Sequence, residues 1–139
     1  MSIKITGIKQ ALKNLDDFGQ TVTQKLEDAT DEATVNIERN AKQDVAVDEA
    51  ILKTSIHRNR NGLDGSVFTN EPYAPYVEFG TGSLVDVPEG LEDYAMQFKG
   101  KGIREVNLPA RPFLFPAWES ERPKYIKRIK KVLKGGAKR

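Results

Sequence analysis

The longest regular pattern in the sequence is a stripe of apolar residues spaced three or four apart, which is typical of an amphipathic helix. Its members are Ile8, Leu12, Leu15, Phe18, Val22, Leu26, Ala29, Ala33, Ile37, Ala41 and Val45. A helix unbroken to Ala46 would be roughly 57 Å long at about 1.5 Å per residue, which exceeds what one small domain needs. Either part of the stripe covers a neighbouring subunit, or Gly19 kinks the helix so that it packs wholly on its own sheet.

Three shorter segments have the pattern of β-strands. Residues 2–6 alternate apolar and polar side chains before Gly7, which predicts a short strand at a sheet edge. Further on, the apolar-rich run 51–57 and the run 66–69 flank a segment with Asn-Gly and Asp-Gly turn signals. This arrangement predicts a hairpin of two antiparallel strands.

Two segments rich in aromatic residues, proline and glycine, 73–82 and 109–119, form the most distinctive feature of the chain. Rigid segments of this composition pack a junction or present a surface to a partner, and we interpret the pair as a structural joint. The first segment can form one or two helical turns that end at Gly80. The candidate joint residues are Tyr73, Tyr76, Glu78, Phe79, Gly80, Arg111, Pro112, Phe113, Phe115 and Trp118.

Glu78 is the sharpest question within this joint. A carboxylate between Val77 and Phe79 is costly to bury without a partner. If it is inside, Arg111 is the cation we expect to form a bidentate pair with it and so pin the two segments together. The alternative is that Glu78 faces water.

The connection between the two segments, 83–108, is long for a small domain and contains one candidate short helix at 89–98. We interpret it as an arm that orders on a partner, and the alternative is a flap over the protein's own core. The candidate subunit or ring contacts in it are Val85, Val87, Leu91, Tyr94 and Phe98.

A last helix is predicted to start at Pro116 and to end at Gly135, with an apolar face and a strongly basic remainder. We expect one domain over residues 1–134 and a basic flexible tail at 135–139. The basic side chains that could contact DNA or an acidic partner are Lys124, Lys127, Arg128, Lys130, Lys131 and Lys134.

Charge is segregated along the chain although the net charge is only +2. Residues 1–121 carry 13 Lys and Arg against 20 Asp and Glu, whereas residues 122–139 carry 9 basic residues and no acid. Such a basic end fits a phosphate backbone or the acidic surface of another subunit, and charge alone does not choose between them. No apolar run is long enough to cross a bilayer and the N-terminus lacks the apolar core of a signal peptide, so we expect no membrane partner and no export.

The sequence offers few groups for catalysis. It has no cysteine and one histidine, His57, which cannot complete a two-histidine metal site. The adjacent acidic pairs are best explained as solvated faces, and the sequence contains neither a phosphate-binding GxxxxGK loop nor a GxSxG elbow. We therefore expect a protein that is not an enzyme and carries no cofactor or metal.

The run 47–56, the segment 73–81 and the segment 109–117 together resemble the tail-component family of long-tailed bacteriophages. The likeness covers the order of elements over nearly the whole chain. Relatives usually carry a Val-Asp-Thr-Gly-x-Leu signature, whereas here Val47-Asp48 is followed by Glu49-Ala50-Ile51-Leu52. This departure puts the local turn in question.

The resemblance implies an α+β fold in which a long N-terminal helix and a C-terminal helix pack on a small antiparallel sheet. It also implies a structural virion protein of the neck, a head-tail joining or tail-completion component that is assembled in the host cytoplasm. By likeness to other neck components we expect a ring of six subunits around the DNA channel. Its partners would be head-closure and tail-terminator or tail-tube proteins, with DNA bound non-specifically.

A second hypothesis comes from a different class of protein. The chain could be a small nucleic-acid-binding module that lays its basic C-terminal helix on the phosphate backbone. The scarcity of aromatic residues in that helix and the acidity of the remaining chain count against it. Salt-dependent DNA binding by a monomer is the observation that separates the two hypotheses.

Overall fold

The computed structural model describes residues 1–8, 20–81, 85–96 and 108–137. Its elements in chain order are β1 (Ser2–Ile5), α1 (Gln20–Asp44), α2 (Ala50–Ser55), β2 (His57–Asn61), β3 (Asp64–Phe68), α3 (Ala74–Phe79), α4 (Glu92–Met96) and α5 (Leu114–Ala137). The three strands form an antiparallel sheet, and the long helices α1 and α5 pack against each other and on one face of it. The predicted α+β class is confirmed. Within these ranges no helix is long and apolar enough to span a membrane.

The sheet has the strand order β1-β3-β2, so β1 lies at an edge as predicted. Strands β2 and β3 form the hairpin, with Asn61 opposite Asp64 and Gly62 at a φ of 61°, a left-handed value that favours glycine in the turn. The first strand of this hairpin was predicted at 51–57, and it begins only at His57. Residues 51–55 are helical, because the spacing of Leu52 and Ile56, both fully buried, brings them to one side of a helical turn.

Helix α1 buries a stripe of mostly small side chains against the sheet and α5. Ala29, Ala33 and Ala41 are buried together with Thr30 and Thr34. This stripe confirms the apolar pattern over 20–45, and the Gly19 question lies outside the described residues. Because the stripe is small, β3 approaches so closely that a Cβ at Gly65 would lie 2.6 Å from Thr34 Cγ2 and 3.1 Å from Thr30 Cγ2.

Helix α5 runs antiparallel to α1 and is longer than predicted. It begins at Leu114, two residues before Pro116, and continues through Gly135 to Ala137. Glycine lowers helix stability without forbidding the helix, so residues 135–137 belong to α5 and not to a tail. The short helix expected at 89–98 is α4, Glu92–Met96, and residues 97 and 98 lie outside the described residues.

Candidate functional site

The two aromatic segments lie side by side, joined by hydrogen bonds that involve the backbone. The Arg111 N–H donates to the Val77 carbonyl at 2.7 Å, and the Thr81 N–H donates to the Leu108 carbonyl at 2.9 Å. In return, the Leu108 N–H donates to Thr81 Oγ1 at 2.9 Å. The structure therefore brings together the two segments that the sequence singled out, and we call this region the joint (residues 73–81 and 108–118).

Glu78 connects the joint to helix α5. Its side chain is only 2% exposed, and its carboxylate accepts the backbone N–H groups of Phe113, Leu114 and Phe115 at 2.8, 3.0 and 2.8 Å. The first four N–H groups of a helix have no partner within the helix, and here the fourth position is Pro116, which has no N–H. One carboxylate from a distant segment thus satisfies every orphan donor at the start of α5, where the helix dipole also favours a negative charge.

The expected ion pair between Glu78 and Arg111 is wrong, and so is the alternative that Glu78 faces water. Arg111 is exposed and contributes its backbone N–H to the joint. The physical reason is that the helix start offers Glu78 three donors that are already fixed in place. An arginine side chain would have to lose conformational freedom to offer the same bonds.

The other predicted joint residues differ in how deeply they lie. Phe79 and Phe113 are buried, and Gly80 ends α3 with a φ of 77°. Tyr73 and Trp118 are half-buried and pack against the main core. Phe115 is half-buried, while Tyr76 and Pro112 are exposed.

The predicted arm residues also differ in how deeply they lie. Tyr94 packs its ring against Phe79 in an edge-to-face arrangement, with centroids 6.4 Å apart. It lines a cleft beside β1 together with Leu91. These two residues cover the protein's own joint, whereas Val85 is exposed, Val87 is half-buried and Phe98 lies outside the described residues.

The opposite end of the α1–α5 pair carries a groove of about 700 Å³ that we call the lysine groove. Its lining consists of Lys25, Lys127, Lys130, Lys131, Val132, Lys134 and Gly135. The sequence had indicated the four lysines of α5, but Lys25 was missed because only the antiparallel pairing of the helices brings it there. Lys124 is exposed and does not line the groove.

Arg128, a candidate contact for DNA or an acidic partner in the sequence, forms ion pairs within the chain. Its guanidinium pairs with the carboxylate of Glu121, which is 1% exposed, and lies 3.5 Å from Glu32 of α1. Asn36 also donates to Glu121, at 3.1 Å. This cluster ties α5 to α1, and the position of Glu121 between Ala117 and Tyr125, four residues from each, was the signal that it faces inward.

A second polar contact crosses the same helix interface. The Tyr125 hydroxyl lies 2.9 Å from Thr30 Oγ1, which donates onward to the Leu63 carbonyl. Burial raises the pKa of Tyr125 above its usual value, although the bond with Thr30 and the charge of Arg128 act in the opposite direction. In the part of the chain that the structure describes, no cluster of acidic or histidine side chains could hold a metal ion, and His57 lies exposed beside Phe68.

Comparison with protein families identifies the chain. Residues 9–80 match the family described as "Bacteriophage HK97-gp10, putative tail-component", and this match covers more than half of the 139 residues. The chain belongs to the HK97 gp10-like family of phage tail components. The matched region ends at Gly80, within the joint, and membership in this family implies a place in the virion. No curated protein and no solved structure gives a significant match.

Proposed function

We propose that this HK97 gp10-like protein is a ring-forming structural subunit of the phage neck that joins the tail to the DNA-filled head. Its role is non-catalytic. Family membership carries the assignment to the phage tail, and the surface of the subunit supports the finer role in a ring. A ring of six subunits around the DNA channel, between head-closure and tail-terminator or tail-tube proteins, is the arrangement we propose.

The supporting surface feature is an exposed apolar corner at the end of α1 and the start of α2. Val47 is 99% exposed and Ile51 is 69% exposed, four residues apart. Exposed apolar residues that are close together mark contact surfaces more often than isolated ones do. Two more exposed apolar residues, Val85 and Leu108, lie near the two ends of the arm.

Two different apolar surfaces on one subunit fit the geometry of a ring. Cyclic rings are built from heterologous contacts, in which one patch of a subunit meets a different patch of its neighbour. We propose that the corner at Val47 and Ile51 meets the surface beside the arm of the next subunit. The rigid joint then holds the base of the arm at a fixed position relative to the long helices.

The experiment is to measure the mass of the purified protein by size-exclusion chromatography with light scattering, and to image it by negative stain. The variant Val47→Ser/Ile51→Ser should dissociate the ring. The matched control Val35→Ser/Ile126→Ser changes one valine and one isoleucine that are 37% and 41% exposed elsewhere, and it should leave the ring intact. A protein that stays monomeric at high concentration, alone and with tail or head-closure proteins, contradicts the proposal.

A further inference from the structure

The lysine groove gathers five lysines of the described structure in one place. Arg58, Arg60 and Arg128 each lie in ion pairs with carboxylates of the same chain. None of the groove lysines does so within the described residues, and all five are exposed. Five unneutralised positive charges around one groove repel each other, so a polyanion that enters it relieves an unfavourable interaction.

The spacing of these charges fits a polymer of phosphates. Lys127 and Lys134 are about 10 Å apart along α5, which equals the axial rise of about three nucleotides of one strand of a duplex. Lys130 and Lys131 lie between them, and Lys25 contributes the opposite wall from α1. The groove therefore presents charge along a line and from both sides.

The residue types indicate which part of a nucleic acid is bound. Lysine ammonium groups act as flexible point charges, whereas base recognition relies on the planar side chains of arginine, asparagine or glutamine. Among the residues that the structure describes, no aromatic side chain lines the groove to offer a stacking surface for unpaired bases. The lining suits the backbone of double-stranded DNA, without sequence preference.

The same lining argues against a protein partner, because the centres of protein interfaces are depleted in lysine. The distribution of acidic residues along the chain also favours DNA as the partner of the groove. Residues 61–98 contain seven acidic residues and no lysine or arginine. The described part of this stretch includes residues 73–81 of the joint, which contact the start of α5, about 36 Å along that helix from its other end.

We propose that the lysine groove binds the phosphate backbone of duplex DNA and that the subunit points this end towards the DNA channel. The inference rests on the proposed function in that the duplex is the DNA that the ring surrounds. The acidic end, which a duplex would repel, then faces away from the channel.

The test is the binding of a short fluorescein-labelled duplex of mixed sequence to the full-length protein, followed by anisotropy from about 50 to 200 mM NaCl. Each phosphate contact contributes about 0.9 to the slope of log K against log salt, so Lys127→Gln/Lys130→Gln/Lys134→Gln should reduce that slope by about 2 to 3. The affinity at about 50 mM NaCl should fall on the order of tenfold or more. Circular dichroism and thermal melting confirm that each variant is folded.

The matched control is Lys4→Gln/Lys53→Gln/Lys124→Gln, which removes three exposed charges outside the groove. It should keep both the affinity and the slope within error of the unmodified protein. Equal losses in the two triple variants would overturn the proposal, because binding would then follow net charge alone.

Two further outcomes separate this proposal from the proposed function. A ring that forms normally but binds no duplex overturns the groove assignment and leaves the neck role intact. A groove variant that weakens only self-association also overturns it, because the groove would then contact an acidic surface of a second copy. A monomer that binds duplex through the groove supports the groove assignment and contradicts the ring.

Discussion

Replacement of Glu78 by glutamine is the most direct test of the joint, because it keeps the shape of the side chain and removes its charge. The oxygen Oε2 accepts the N–H groups of both Phe113 and Leu114, and the oxygen Oε1 accepts that of Phe115. Glutamine keeps one acceptor oxygen but places an NH₂ group where the other oxygen was. If that group replaces Oε1, the glutamine NH₂ and the Phe115 N–H are two donors that face each other without an acceptor.

The magnitude follows from these three bonds. A hydrogen bond to a charged group contributes about 1.5–3 kcal/mol and a neutral one about 1 kcal/mol, so two bonds that become neutral lose about 1 kcal/mol each. The unsatisfied Phe115 amide adds about 1–3 kcal/mol. Glu78→Gln should therefore lower the free energy of unfolding by about 3–5 kcal/mol, a large fraction of the 5–15 kcal/mol that is typical of a domain.

Urea unfolding provides the assay, with helix content followed by circular dichroism and the joint followed by the fluorescence of Trp118, the one tryptophan of the chain. The urea midpoint should fall by about 2 M for an m-value near 2 kcal/mol/M. Two controls remove exposed charges: Arg111→Ala and Glu119→Gln should each cost less than about 1 kcal/mol. A Glu78→Gln protein within about 0.5 kcal/mol of the unmodified one, or an Arg111→Ala protein equally destabilised, would refute the helix-start account.

Three further predictions concern the α1 interfaces. Gly65→Ala should lower the free energy of unfolding, measured in urea, by about 1–3 kcal/mol because its Cβ meets the Thr34 methyl group. Adding Thr34→Ser, which removes that methyl group, should recover part of the loss, and no recovery would contradict the steric cause. Arg128→Leu should lower the free energy of unfolding by about 3–5 kcal/mol, because the buried Glu121 carboxylate loses its cation. The double variant Glu121→Leu/Arg128→Leu should be less destabilised than this single variant, and a more destabilised double variant would contradict the account. Because the pKa of Tyr125 is raised in the fold, its contribution to stability is complete below the unfolded tyrosine pKa of about 10 and is lost as pH rises through the folded pKa. Above pH 10, the free energy of unfolding of Tyr125→Phe should therefore fall less than that of the unmodified protein. An equal fall would assign the alkaline sensitivity to other groups.

Much of the fold could be predicted because it depends on local periodicity. The stripe of α1, the alternation in β1 and the turn glycine at 62 are each visible within a few residues of sequence. The strand expected at 51–57 was wrong because a run of seven residues that includes several apolar side chains fits either a strand or a helix, and the choice depends on which of its residues the core covers. In this chain the core covers Leu52 and Ile56 and leaves Ile51 in solvent.

The partners of charged side chains could not be predicted in the same way. Glu78 was correctly singled out as a carboxylate that needs partners if buried, but those partners are backbone amides, which every residue carries and no sequence pattern marks. Arg128 looked like any other basic residue of α5 until the pairing of α5 with α1 brought Glu32 and Glu121 to it. Side-chain chemistry can suggest that a group needs a partner, while the tertiary structure decides which one it has.

The joint and the lysine groove occupy opposite ends of one element, and this arrangement gives the subunit a direction. Glu78 fixes the start of α5 against the segment that holds the base of the arm, and the cluster around Glu121 fixes the middle of the helix against α1. The lysines near the other end therefore project from a helix whose position is set at two points upstream. A change at Glu78 that leaves the protein folded should thus disturb the arm and the groove together, whereas removal of the groove lysines should affect only what binds there.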